Sequence, residues 1–181
     1  MKKLALILLL FTLATFNSKA QEKFVTRTGS VTFLSETPIE KIYAENNQVA
    51  SILLTTKKVI AFNVLLKSFR FDKALMEEHF NEKYVHSEAY PSAKFKGELD
   101  LDIDPSIIAE YKNLEIKGEM DFHGVKNSLT VIANINVTED TIIFTSDFKL
   151  KLEDYKVEIL SLVKDKISEY VLIKTVISYK K

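Results

Sequence analysis

Few side chains in this sequence could do chemistry. It has three histidines, His79, His86 and His123, and no cysteine in 181 residues. A zinc site needs three or four nitrogen, sulfur or carboxylate ligands, usually announced by close pairs such as His-x-His or His-Glu-x-x-His. His79 and His86 are separated by seven positions without such a partner, and His123 is isolated. They read instead as structural residues: His79 packing beside Phe80, and His123 serving a turn before Gly124. Asp100, Asp102 and Asp104 look like a calcium cluster but lack the glycine and closing glutamate of an EF-hand loop. They alternate with Leu99, Leu101 and Ile103, which makes them the wet face of a strand. No serine sits in a Gly-x-Ser-x-Gly elbow, and no glycine-rich loop could cradle an oxyanion or a phosphate. The expectation is a protein with no catalytic residues, no metal and no cofactor.

The elements that would position a site are strands. Ala93, Phe95, Gly97, Leu99, Leu101 and Ile103 alternate with Lys94, Lys96, Glu98, Asp100 and Asp102. Period two separates the two sets onto opposite faces of a strand, whereas a helix would scatter them. The same pattern recurs through Leu114–Phe122, Leu129–Val137 and Phe144–Leu152. Turn signals at Glu45-Asn46-Asn47, Thr56-Lys57-Lys58, Asp104-Pro105-Ser106, Gly124 to Asn127 and Thr138-Glu139-Asp140 divide the chain. They delimit strands near 24–35, 38–44, 48–55, 58–70, 92–103, 113–123, 128–137 and 141–152, with a further strand at 170–179 and a partial one at 155–159. Between Asp72 and Tyr84 the apolar spacing turns helical, with Asp72 placed to cap it and Glu77 and Glu78 facing water. A second helical turn is expected at 161–168. Gly97 and Gly118 fall inside strands, where a missing side chain marks a bend or a close approach. The fold class is all-β: an antiparallel barrel of about eight strands with one short helix.

The N-terminus gives the compartment. Lys2 and Lys3 precede an apolar run from Leu4 to Phe16, and Ser18-Lys19-Ala20 offers small residues for cleavage. This is the pattern of a signal peptide, residues 1–20, and the run is shorter than the ~20 residues that cross a bilayer. Residues 21–181 then form one domain in the periplasm or outside the cell, with no stable membrane anchor. The leader removes Lys2, Lys3 and Lys19 from a chain of 25 basic and 25 acidic residues, leaving a slightly acidic product. Nucleic acid, which selects for clustered positive charge, is not an expected partner.

Longer runs carry a resemblance. Phe62-Asn63-Val64, Lys67-Ser68-Phe69-Arg70-Phe71, Leu75 to Tyr84, and Ser87-Glu88-x-Tyr90-Pro91-x-Ala93-x-Phe95-Lys96-Gly97 follow one another in order. With Gly118 to Lys126, which holds Phe122-His123-Gly124-Val125, they resemble the YceI-like family. Asp121 and Lys126 stand where threonines are usual in that last run. The resemblance implies a lipocalin-like barrel, exported, whose apolar lumen in some members holds a polyisoprenoid or another long-chain amphiphile. The alternative is a structural or stress-associated interaction module with a filled barrel. A second copy of the chain is also carried as a candidate partner.

If a lipid is bound, the inward rows hold it. On the strand at 58–71, Phe62, Val64 and Leu66 fall on one face and Leu65, Phe69 and Phe71 on the other. The first set is assigned to the lumen and the second to contact with the helix through Leu75, Met76 and Phe80. Phe62 and Val64 then point inward, with Phe95, Leu99, Ile116, Met120 and Phe148 as neighbours across the lumen.

Overall fold

The computed structural model describes residues 23–181, so the expected leader and cleavage site lie outside the described residues. Nine strands form one antiparallel sheet: β1 (Lys23–Glu36), β2 (Lys41–Leu54), β3 (Val59–Leu65), β4 (Arg70–Phe71), β5 (Ser92–Leu99), β6 (Ala109–Phe122), β7 (Val125–Val137), β8 (Thr141–Lys151) and β9 (Tyr170–Lys180). β1 pairs with β2 on one side and with β9 on the other, so the sheet closes on itself. The two-residue β4 is an extra rung on β2, and the remaining eight strands make the barrel. Closure is what the alternation requires. Each long strand has one apolar face, and curling the sheet buries all of these faces together while leaving no open edge.

Several local expectations fail for physical reasons. Glu45-Asn46-Asn47 is not a turn: β2 runs unbroken through it. Asn46 faces inward and is wholly buried; its Nδ2 donates to the Leu65 carbonyl at 2.7 Å and its Oδ1 accepts the Gln48 N–H at 2.8 Å. Register shifts in the β1–β2 ladder lie opposite, between Thr26 and Val31. The asparagine therefore satisfies backbone groups that an irregular ladder would leave unpaired. The strand expected at 58–70 breaks at a 3-10 turn, Leu66–Ser68. β5 stops at Leu99, and no strand forms at 155–159, where a 3-10 turn, Glu153–Tyr155, ends at a left-handed Lys156. The turn expected from Gly124 to Asn127 is the His123-Gly124 pair, both at positive φ, with Val125 already in β7. That is the two-residue hairpin geometry whose twist suits an antiparallel pair.

The helix is shorter than expected. α1 covers Ala74–His79 and continues as a π-turn, Phe80–Tyr84. Asp72 does not cap it, since the N-cap residue is Lys73 without a side-chain bond. Glu77 does not simply face water either. Its carboxylate accepts Arg70 Nη1 at 2.9 Å and the Phe71 N–H at 3.4 Å, tying the helix to β4. A 3-10 turn at Ser161–Val163 occupies part of the expected second helical stretch.

In this up-and-down barrel, connections alternate between the two ends. The turns at 55–58, 100–108 and 138–140 close one end, where Leu53, Ile60, Leu99, Ile116, Val137 and Ile142 are sealed from water. The two long connections, 66–91 and 152–169, both fall at the other end. Tyr179, fully buried at the closed end, meets Ser51 Oγ at 2.6 Å, and Ser51 donates to the Ala61 carbonyl at 2.9 Å.

Burial raises the Tyr179 phenol far above its ordinary value, outweighing the bond to Ser51. The folded state thus holds a proton that the unfolded chain releases above about pH 10. Stability is complete below that pH and falls as pH rises toward the folded value. Urea titrations in steps above pH 9 should show this alkaline loss, and Tyr179→Phe should remove the tyrosine's share of it.

Candidate functional site

The open end of the barrel contains an apolar cavity of about 300 Å³. This is at the lower edge of the roughly 300–1,000 Å³ common for small-molecule sites. Its walls are inward side chains of the barrel strands, and its rim is made by α1, the π-turn and the 152–169 segment. The rim is fastened to the barrel by polar contacts. Lys73 on the helix side pairs with Glu40 of the β1–β2 loop at 3.5 Å, and the Ser168 N–H donates to Ser35 Oγ at 2.9 Å.

A third fastening uses the two histidines that the sequence left apart. His86 Nδ1 and His123 Nε2 face each other at 2.9 Å, and His123 Nδ1 lies 3.0 Å from the Tyr155 carbonyl. That carbonyl can only accept, so His123 carries its proton on Nδ1 and its Nε2 accepts from His86. The ring planes are within 19° of each other and their centroids are 5.2 Å apart, so the rings meet edge to edge, as a hydrogen bond requires. Both residues sit at positive φ, and the Tyr90 ring packs edge-on against His123. The chain of contacts joins the 85–91 segment, the β6–β7 turn and the 152–157 segment. Spacing gives no hint of it, because 37 residues separate the partners.

Of the seven lumen residues assigned from sequence, Phe62, Val64, Phe95, Met120 and Phe148 line the cavity. Leu99 and Ile116 do not. They are register partners in the closed end, 4% and 0% exposed, where branched side chains fill the lumen. Their parity along the strand was right, but depth is not encoded in parity. The assignment of Phe69 and Phe71 to an outer face is also corrected, because the turn at 66–68 resets the alternation and Leu66, Phe69 and Phe71 all reach the cavity. They do not back onto the helix from outside. Phe33, Phe69, Phe71 and Phe80 form one aromatic cluster with ring centroids 5.1–5.6 Å apart. Met76 and Phe80 face the cavity from the rim, while Leu75 is exposed.

Sequence reasoning missed Phe33, Val31, Ser146 and Thr175 on the wall. A signal for Phe33 existed. Phenylalanine is the residue that marks the open half, where Phe33, Phe62, Phe95, Phe144 and Phe148 lie on the inward rows among aliphatic side chains. Burial holds the Tyr84 phenol, also on the lining, above its ordinary value. The Asp100–Asp104 run lies at the far end, outside any strand; Asp102 pairs with Lys58 at 3.2 Å and Asp104 accepts the Ser106 N–H at 2.8 Å.

The fold and site define a small closed β-barrel, filled at one end and hollow at the other. The YceI-like domain model matches residues 11–179, and the chain belongs to that family. The structure is similar to that of a polyisoprenoid binding domain from Saccharophagus degradans, with a TM-score of 0.73, 15% identity, and 88% of this chain and 98% of that one covered. It is also similar to Burkholderia cenocepacia BcnA, with a TM-score of 0.70, 13% identity and coverage of 83% and 95%. A Campylobacter jejuni YCEI protein matches with a TM-score of 0.56 at 15% identity, covering 68% and 72%. No curated protein matches the sequence.

The cavity floor depends on two glycines. Gly97 and Gly118 are direct partners on β5 and β6, and the Phe95 ring lies over both. A Cβ on Gly118 would stand 2.4 Å from the Lys96 carbonyl oxygen and 2.7 Å from Phe95 Cζ. Gly118→Ala should therefore push Phe95 toward the cavity and cost about 1–3 kcal/mol of stability. Denaturant titration gives the cost, and an altered near-ultraviolet aromatic spectrum would report the displaced ring.

Proposed function

We propose that this protein is an exported, non-enzymatic carrier that holds a long-chain lipid, such as a polyisoprenoid, in the open half of its barrel. The observation that carries this reading is the cavity itself. A wall built mostly of phenylalanine and aliphatic side chains, rimmed by two long connections, suits an apolar chain. Its charged lining residues, Glu40, Lys94 and Lys166, stand on the rim side of the cavity. The similarity to a structure described as a polyisoprenoid binding domain supports the same ligand class. Family membership and the leader-like N-terminus support export. The alternative of an interaction module with a filled barrel needs side chains in the open half, and the cavity occupies that space.

Organic extraction of natively purified protein followed by mass spectrometry tests the reading directly. A long-chain lipid should be recovered in near-stoichiometric amount; an empty extract, together with no uptake of a fluorescent lipid, would overturn it. Affinity should rise by ~0.8 kcal/mol, about fourfold, per methylene until the chain fills the cavity. Val64 lies on the cavity wall and is half-buried, so Val64→Phe should block the space while leaving the protein folded and binding lost. Unchanged binding in a folded Val64→Phe protein would move the ligand elsewhere. For export, N-terminal sequencing of protein from the periplasm should begin at Gln21 or within a residue or two of it.

A further inference from the structure

The cavity is not uniformly apolar. Thr175 on β9 and Ser146 on β8 are direct register partners, both face inward, both line the cavity, and they are only 7% and 5% exposed. Ser146 Oγ donates to the Ile132 carbonyl at 2.8 Å, which leaves its lone pairs as acceptors. Thr175 Oγ1 has no hydrogen-bond partner among the described residues, and it is not one of the buried polar atoms sealed from solvent. An unpaired hydroxyl therefore opens onto the cavity, beside an oxygen with acceptor capacity to spare. Together they present one donor and one acceptor within reach of a single headgroup.

Their depth matters. Tyr170 begins β9 at the rim, so Thr175 lies five residues inside, about 17 Å along the strand at ~3.4 Å per residue. One step deeper on these strands Ile177 no longer touches the cavity, and its register partner Phe144 lines the base. The hydroxyl pair thus sits just above the floor. Charged lining residues are absent from that depth: Glu40 and Lys166 lie in connections at the rim, and Lys94 is near the rim-side end of β5. A carboxylate or phosphate there would have no cation to meet it, whereas a neutral amide, alcohol or carbonyl would find both of its bonds.

We propose that the cavity takes long-chain amphiphiles with an uncharged hydrogen-bonding headgroup and seats them headgroup first, against Thr175 and Ser146, with the chain running out toward the rim. This rests on the reading of the cavity as a lipid site. Inserted tail first, the same ligand would leave the Thr175 hydroxyl against a methyl end and its own headgroup in the aromatic mouth.

The test compares four probes of equal chain length, oleamide, oleyl alcohol, oleate and 1-octadecene, delivered from cyclodextrin to delipidated full-length protein at pH 8. Oleamide and oleyl alcohol should bind about tenfold tighter than octadecene and oleate, the worth of about one hydrogen bond. Thr175→Val keeps the shape and removes only the hydroxyl. It should abolish the preference of the protein for the amide and alcohol over octadecene, and Thr175→Ser should restore it. Without ligand, Thr175→Val should melt no lower than the parent, because the lost hydroxyl had no partner. If all four probes bind with equal affinity, or Thr175→Val keeps the preference, headgroup-first seating is overturned and the lipid reading stands. If none of the four binds and the extract is empty, the lipid reading falls and takes this proposal with it.

Discussion

Everything in this molecule depends on the pairing of β1 with both β2 and β9. That ladder turns a sheet into a tube, and a tube has an inside whose volume is set by the number and tilt of its strands before any side chain is chosen. Eight inward rows must then fill that volume or leave part of it empty. With no cysteine in the chain and no metal-ligand cluster among the described residues, stability falls to how those rows pack. The closed end answers with β-branched and leucine side chains that interdigitate. The open end answers with phenylalanine rings that pack edge to face against one another along the wall, and rings held to the wall leave the centre vacant.

The boundary between the two regimes is specific. Phe62 bridges Phe95 and Phe144 with centroids 6.1 and 5.2 Å away, and Phe95 lies flat enough to do so because Gly97 and Gly118 offer no side chains beneath it. An aromatic over a cross-strand glycine pair regains the packing that the glycines forfeit. The floor of the cavity is thus built beside a cross-strand pair of glycines, where two neighbouring strands give up their side chains together.

How much of this the sequence disclosed follows from which signals are local. Period-two alternation is local, and it gives the long strands and their inward faces, on which Phe62, Val64, Phe95, Met120 and Phe148 line the cavity. The insertion at 72–84 was visible because its spacing changes from two to helical. Asn46 misled because asparagine favours turns in most contexts, and only the paired strand shows that its amide is needed to satisfy the Leu65 carbonyl. Leu99 and Ile116 face inward as expected but lie below the cavity, because alternation reports the face of a strand and not the distance from its end. The His86–His123 bond was invisible for a different reason: each ring is positioned by its own left-handed backbone residue, in loops far apart in the chain.

Strand alternation also explains why the cavity has one mouth. In an up-and-down barrel successive connections alternate ends, so an insertion in the third connection and one in the seventh must meet on the same side. Here those are the 66–91 and 152–169 segments, and they touch through the β6–β7 turn, where His123 bonds to both His86 and the Tyr155 carbonyl. Had either insertion fallen in an even-numbered connection, the barrel would carry a cover at each end and no continuous rim. The far end keeps short connections and a packed interior, so it can bear the stability of the fold. The rim is held by a few polar contacts, among them Lys73–Glu40 and Ser168–Ser35, each of which can break without disturbing a strand. Separating the packed half from the fastened half leaves the ladder that closes the barrel independent of the few polar contacts that hold the rim.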